Sequence, residues 1–318
     1  MARYTQLTFG GVESYQVHIR KKQQKKKRQL VGKVLHLGGG VQSSTIVEMV
    51  VERKLPKCDF VVFADTGDEP QYVYEQIDYL ADRLSSVGIN LFDARRNNNE
   101  GEPVHIVDDL MLGGGRFASM PLFTQSADGK IGRLKRQCTH EYKIKPIQDT
   151  ILGWLIDQGH AQLIQTATGP RRLVKRNVYI ESWFGFSYDE WYRLGRGQFP
   201  NWQKAVYPLF DLKMTRQGCI DWLRKKGLPV PNKSSCIVCP YRDSASWKVM
   251  KNEYPKDFKH ACEFDEWLRT PEAKQRVTAV LKQPVFLHRS CIPLQKVVLD
   301  EDDKQQDFFE ICSGSCWT

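Results

Sequence analysis

Apolar and polar positions along this chain follow two periods, and the period changes where turns are expected. Val31 to Leu37 (VGKVLHL) reads as a short buried strand, and Gly38 to Ser44 (GGGVQSS) follows at once. From Thr45 the apolar residues recur at helical spacing, with charges gathering toward Lys54. CDFVVFADTG, from Cys58, is a continuous apolar run closed by Asp-Thr-Gly, the pattern of a strand covered on both faces. A helix is expected next, with Tyr72, Ile77, Tyr79, Leu80 and Leu84 as its apolar set and Gly88 as its stop. INLFDAR, from Ile89, gives a third strand.

This alternation predicts an α/β fold with a doubly wound parallel sheet. Residues 97–136 show little periodicity, carry GGGR at 113–116, and read as a long loop with short helices. A helix is expected from Cys138 to Asp157, then strands in AQLIQTATG and VYIESWFGF. After about Pro200 the strand signal fades. TRQGCIDWLRKKG reads as a helix closed by Gly227, SSCIVCPYR as a cysteine knuckle, and the residues beyond as helical pieces broken at Pro255. The expected division is a polar, basic arm at 1–30, an α/β domain at 31–200 and a helical, cysteine-bearing region at 201–318. No internal repeat is visible.

Composition narrows the class. The 318 residues are 41% hydrophobic and 26% charged, enough for a sizeable core, which argues against global disorder. The formal net charge is +10, a balance that collects polyanions such as nucleotides, nucleic acid and anionic membrane. Part of the excess is local, in RKKQQKKKR from Arg20 to Arg28, which suits either a nucleic-acid contact or a solubilising arm. No stretch reaches the roughly 18 apolar residues that span a bilayer, and MARYTQLTFGGVESYQV lacks the apolar core of a signal peptide. A cytoplasmic protein without membrane partners is expected, where thiols stay reduced. The nine cysteines then point to metal or redox chemistry, and an odd number fits complete pairing badly.

A strand that ends in glycines and opens a helix is an anion site. Backbone N–H groups converge there, the helix dipole adds partial positive charge, and glycine allows close approach. The candidate binding residues are Gly38, Gly39, Gly40, Val41, Gln42, Ser43 and Ser44, the two serines also serving as hydroxyl donors and helix caps. The loop is neither a Walker A motif, since no Lys follows the glycines, nor G-x-G-x-x-G. Asp65, Thr66 and Gly67 close the second strand at its carboxyl end, where ligands bind in open α/β sheets. GFSYDEWYR, from Gly185 to Arg193, places Glu190 and Arg193 three apart, able to face one way in a helix.

The loop resembles the SGGxDS phosphate loop of PP-loop ATP pyrophosphatases, with Gly38 in the Ser place and Gln42 in the Asp place. The Gln removes one candidate magnesium ligand. GFSYDEWYR is similar to the GIRxxESxxR segment of PAPS reductases, with Gly185, Glu190 and Arg193 at matching spacing. Residues 31–316 as a whole resemble the adenine-nucleotide α-hydrolase, or PAPS-reductase-like, superfamily. The nearest likeness is to phage and bacterial PAPS-reductase-like proteins and to the ATP pyrophosphatase of DNA phosphorothioation, strengthened by YPL, the Cys219-Ile-Asp-Trp helix and the SSC-x2-CP knuckle. The resemblance implies that the loop grips the pyrophosphate of ATP, that Asp65 and Thr66 lie near adenosine, and that Ser43, Asp65, Glu190 and Arg193 are catalytic.

Cys236 and Cys239 form C-x2-C before Pro240, a spacing that holds one metal through a tight turn. Four ligands are needed, and the family carries a cysteine in the context of Cys138. Cys312 and Cys316 would complete the set or form a redox pair. The open readings are a [4Fe–4S] cluster on Cys138, Cys236, Cys239 and Cys312 or Cys316, zinc on the same residues, or free thiols in sulfur transfer. Cys58, Cys219, Cys262 and Cys291 are expected as small buried apolar residues. RRLVKR at 171–176, Arg133, Lys135 and Arg136 before Cys138, and His288–Arg289 suit phosphate contacts or ordinary solvated surface. Trp183, Trp191, Trp202 and Trp247 suit base stacking or core packing.

The expected activity is ATP cleavage to AMP and pyrophosphate, with magnesium, to adenylate a nucleic acid (DNA or tRNA) for sulfur transfer. A cysteine desulfurase is the expected sulfur donor, and a homo-oligomer stays open. Two alternatives stand beside it: a PAPS or APS reductase, against which CSGSC replaces the ECGLH-like tail, and a non-catalytic zinc-knuckle module that binds nucleic acid through a decayed loop.

Overall fold

The computed structural model describes residues 3–9, 12–18, 28–98, 100–112, 120–195, 197, 199–276 and 283–299. Cys312, Cys316, the GGGR loop and most of the basic run at 20–28 lie outside them. β1 (Arg3–Phe9) and β2 (Val12–His18) pair as an antiparallel hairpin within the stretch expected as a polar lead-in.

Then come β3 (Gln29–Leu37), α1 (Val41–Val51), β4 (Phe60–Ala64), α2 (Gln71–Ser85), β5 (Asn90–Ala94), α3 (Ile106–Leu112), β6 (Phe123–Gln125), β7 (Ile131–Arg133) and α4 (Lys145–Asp157). A π-helical turn, His140–Ile144, leads into α4. They are followed by β8 (Ala161–Thr166), β9 (Gly169–Val174), β10 (Val178–Phe184), β11 (Gln203–Val206), α5 (Pro208–Asp211), α6 (Arg216–Lys225), α7 (Ser244–Glu253), α8 (Pro255–Trp267), α9 (Pro271–Arg276) and β12 (Val285–Phe286).

β11-β10-β3-β4-β5 form one wholly parallel sheet. In chain order the strands run 5-4-1-2-3 across it, so the winding reverses between β3 and β10. At such a switch point the loops after two neighbouring strands part and leave a crevice at their carboxyl ends. β4 is buried along its whole length, as its unbroken apolar run requires. Leu35, Leu37, Val61 and Phe63 meet α1, α2 and α6 on one face. Val34, Phe60, Val62 and Ala64 meet Ile147, Ile151 and Leu155 of α4 on the other. The sheet is therefore covered on both sides, as the doubly wound α/β fold demands.

One segment departs from expectation, and another forms the expected strand but outside the main sheet. β11 falls beyond the expected boundary near residue 200 and is the sheet's edge strand; four residues are too few to carry a strand period. β8 does not join the sheet but pairs only with β9. Half of its residues are exposed and only Ala161 is buried, unlike the buried run of β4.

A second core unites the region after α6 with the long connection before α4. Leu110, Leu122, Tyr142, Val238, Trp247, Phe264 and Leu287 belong to it. β12, β6 and β7 make a small antiparallel sheet over this core. Short strands inside 97–136 thus replace part of the expected loop. Among the described residues no helix is long and apolar enough to cross a membrane.

Candidate active site at the sheet switch point

The glycine loop is shaped by its own contacts. Gly39 has φ +71°, a conformation glycine adopts at no steric cost. The Gly38 N–H donates to Ser43 Oγ (3.2 Å), and that hydroxyl donates to the Gly40 carbonyl (3.2 Å). Ser43 therefore closes the loop on itself. The Gly40 N-cap supplies no side-chain cap to α1, contrary to the expected capping role of the serines. The amides of the first turn are left for another acceptor. Ser44 Oγ is buried without a hydrogen-bond partner.

Gly185, at the end of β10, packs directly on this loop. A Cβ there would meet Ser43 N at 2.9 Å and Ser43 Cα at 3.1 Å. Ser187 then caps the short 3₁₀ turn Tyr188–Arg193 in a reciprocal box with Glu190. Glu190 is a hub. Its Oε2 accepts from Ser187 N, Ser187 Oγ and Gln42 Nε2, each at 3.2 Å. Its Oε1 accepts from the Arg193 guanidinium at 2.6 Å. Arg193 is buried, lies 3.9 Å over the Phe186 ring, and has its Nε without a hydrogen-bond partner.

A cavity of about 410 Å³ opens between these segments, within the size range of small-molecule sites. Gly40, Val41 and Gln42 line one wall, and Asp189, Glu190, Tyr192 and Arg193 another. Thr66 lines it from the end of β4, and Lys233, Ser234, Ser235, Cys236 and Cys239 from the knuckle. Arg136, Lys143, Arg193, Arg216 and Lys233 bring five cations, against the carboxylates of Asp189 and Glu190. Such a wall favours an anion.

The expected site residues divide into lining and supporting groups. Gly40, Val41, Gln42, Thr66, Glu190, Arg193, Cys138, Cys236 and Cys239 line the cavity; Gly38, Gly39, Ser43, Ser44, Asp65, Gly67 and Gly185 do not. Asp65 is buried and fully engaged. Its Oδ1 accepts from Gly67 N (2.8 Å) and Tyr74 OH (2.9 Å), and Oδ2 pairs with Arg95 (2.5 Å). The Asp65 charge also helps burial push the Tyr74 hydroxyl above its ordinary value.

The knuckle is braced from below. Ile237 N donates to the Asp68 carbonyl (2.7 Å) and Val238 N to the Asp68 carboxylate (3.2 Å). Buried Arg242 donates to the Ser235 carbonyl (2.5 Å), to the Cys236 carbonyl (3.1 and 3.3 Å) and to Tyr72 OH (3.2 Å). Cys236 Sγ lies 3.3 Å from Thr66 Oγ1 and 3.5 Å from Glu69 Oε1, and Lys143 Nζ meets the same Glu69 oxygen at 3.2 Å. Burial raises the Cys236 thiol well above its ordinary value, and the Glu69 charge adds to this.

Among the described residues no group of three or more His, Cys, Asp or Glu side chains could hold a metal ion. Cys138, Cys236 and Cys239 all line the cavity. Cys58 and Cys219 are buried as expected, whereas Cys262 and Cys291 are only partly covered. Trp183 and Trp247 are core residues, and Trp191 is exposed. Glu69, Lys143, Asp189, Arg216 and Lys233–Ser235 join the site without having been singled out as candidates, although Asp189 lies within GFSYDEWYR and Ser234 and Ser235 within SSCIVCPYR. Glu69 too has a local signal, lying with Asp68 just past Asp-Thr-Gly at the sheet's carboxyl edge.

No protein-family model matches the chain, and no curated protein matches it. Among solved structures, the U34-tRNA thiolase NcsA from Methanococcus maripaludis, with its [4Fe–4S] cluster, is similar over 77% of this chain and 74% of that chain, at 14% identity and a TM-score of 0.36.

Proposed function

We propose that this protein is an ATP pyrophosphatase that adenylates a nucleic-acid acceptor for sulfur transfer. The observation that carries the reading is the convergence at the switch point: an uncapped helix N-terminus after a glycine loop, locked through Gln42–Glu190 to a buried arginine with an unpartnered Nε. Polyphosphate is the chemistry that set recognises.

ATP would lie with its phosphates on the first-turn amides of α1 and its α-phosphorus open to the cavity. Arg193, Arg216 and Lys233 would neutralise the charge that gathers on pyrophosphate as it leaves. Magnesium would arrive on the phosphates, with Asp189, whose Oδ1 accepts from Arg216 N (3.1 Å), as the less engaged cavity carboxylate beside Glu190, which meets Gln42, Ser187 and Arg193. An acceptor oxygen attacks the α-phosphorus and pyrophosphate departs. A sulfur nucleophile then replaces the adenylated oxygen, and AMP leaves with it. No protein side chain is the first nucleophile.

Cys138, Cys236 and Cys239 would hold an iron–sulfur cluster, with Cys312 or Cys316 as a fourth ligand. Bound there, it would supply an iron site for sulfur. Zinc on the same residues is the alternative. A cysteine desulfurase is the natural donor class.

The test is to incubate anaerobically purified protein with ATP labelled at the α-phosphate, alone and with duplex DNA or tRNA, and to resolve the products. Labelled AMP or an AMP-linked acceptor is expected. ADP as the sole product, or no turnover beside tight nucleic-acid binding, would favour the non-catalytic alternative.

A further inference from the structure

The β8–β9 ribbon, like the β1–β2 hairpin, is a two-stranded sheet of its own. It is joined to no larger sheet, and beyond its base both faces are exposed. Residues 161–177 contain Arg171, Arg172, Lys175 and Arg176 and no carboxylate. All four cations are exposed, together with Leu163 (59%) and Leu173 (46%). The register pairs Leu163 with Arg172, and Ile164 with Arg171. Cross-strand partners share a face, and successive residues alternate faces. Each face therefore carries an arginine beside an apolar side chain.

An isolated two-stranded ribbon is marginal in water. Here Ala161 and Val174 pack its base against α4, and Arg172 pairs with Asp149 (2.5 Å) in the helix's first half. The ribbon thus runs back along α4, toward the end that leads to Lys143 and Thr139 on the cavity wall.

We propose that this ribbon is a docking element for B-form duplex DNA and inserts into the major groove. That groove, about 12 Å wide, admits a two-stranded β-ribbon and presents thymine methyls to apolar side chains. The major groove of A-form RNA is too deep and narrow for side chains to read. Arg171, Lys175 and Arg176 reach the flanking phosphates. The inference rests on the nucleic-acid reading of the acceptor and narrows it to duplex DNA.

The test uses the full chain without nucleotide and a fluorescein-labelled random-sequence duplex, followed by anisotropy across a salt series. The Arg171→Gln/Lys175→Gln/Arg176→Gln variant alters exposed side chains only, and circular dichroism checks its fold. It is expected to bind at least ten-fold more weakly, with a log–log salt slope shallower by about 2.7, at roughly 0.9 per phosphate contact. Any affinity from the 20–28 run is common to both proteins and cancels in the difference. An Arg224→Gln/Lys225→Gln variant, which removes exposed cations of α6, is expected to match wild type. Equal affinity and slope in the ribbon variant would overturn the proposal. So would ribbon-dependent binding of tRNA without duplex binding, or a change only in oligomeric state by sedimentation. Because binding is read without ATP, ribbon-dependent DNA binding beside absent AMP formation would sink the pyrophosphatase reading alone. AMP formation beside ribbon-independent DNA binding would sink this inference alone.

Discussion

The side-chain amide of Gln42 donates to the Glu190 carboxylate across 3.2 Å, although 148 residues separate them in sequence. The contact joins the glycine loop after β3 to the turn after β10, the two strands that flank the switch point. It also gives a defined role to Gln42, which stands where the SGGxDS loop that this one resembles carries Asp. An amide can donate to Glu190, whereas a carboxylate there would repel it.

Glu190→Gln is the direct probe of that hub. It keeps the shape but weakens the bond to Arg193, and a hydrogen bond to a charged group contributes about 1.5–3 kcal/mol. AMP formation is expected to fall by ten-fold or more with little change in melting temperature. Steady-state product analysis checks this, and unchanged turnover would remove Glu190 from the site.

Gly185→Ala probes the packing of the two segments. Its Cβ would press on the Ser43 backbone, and overpacking of this kind costs about 1–3 kcal/mol. The loop must shift, so ATP affinity measured calorimetrically should drop by at least ten-fold. Wild-type affinity would show that the loop yields freely.

The cysteines separate by content of metal. Cys138→Ser, Cys236→Ser and Cys239→Ser should each lower iron and acid-labile sulfide in anaerobically purified protein, while Cys58→Ala, a core change, should not. Zinc in place of iron, or iron unchanged in all three variants, would contradict the cluster assignment.

The knuckle's support should give stability a pH dependence. His260 Nε2 meets Asp68 Oδ1 at 2.9 Å, and this hydrogen bond raises the His260 pKa despite partial burial. Burial of the Asp68 carboxylate acts the other way on the same pair; the His260 direction is the firmer one, because the imidazolium gains a bonded anion. A raised pKa means that the pair stabilises fully below the unfolded value, about 6.5. That stability is lost as pH rises through the higher folded value. The melting-temperature gap between wild type and His260→Gln should therefore narrow from pH 6 toward pH 8. A constant gap would show that His260 does not titrate with folding.

Much of this architecture is legible in the sequence because its signals are local. The run FVVFA, the Gly38–Gly40 turn and the Gly88 stop each act within a few residues, and each marks an element that forms. What the sequence hides depends on distance or on brevity. β11 is too short to show a period. Whether AQLIQT joins a sheet or a ribbon is decided by its partners, which lie outside the segment itself. Lys143 and Lys233 look like ordinary surface lysines until the chain brings them beside Cys236 and the loop. Ser43 and Asp65 fit the loop and strand-end patterns, yet their polar atoms serve the internal bonding that holds the cavity's rim.

A pair of ATP analogues distinguishes cleavage between the α- and β-phosphates, the chemistry proposed for this cavity, from cleavage between the β- and γ-phosphates. With acceptor and magnesium present, β,γ-imido-ATP should be converted to AMP and imidodiphosphate, while α,β-methylene-ATP should remain intact. Cleavage of the α,β-methylene analogue to release inorganic phosphate, with the β,γ-imido analogue untouched, would contradict it.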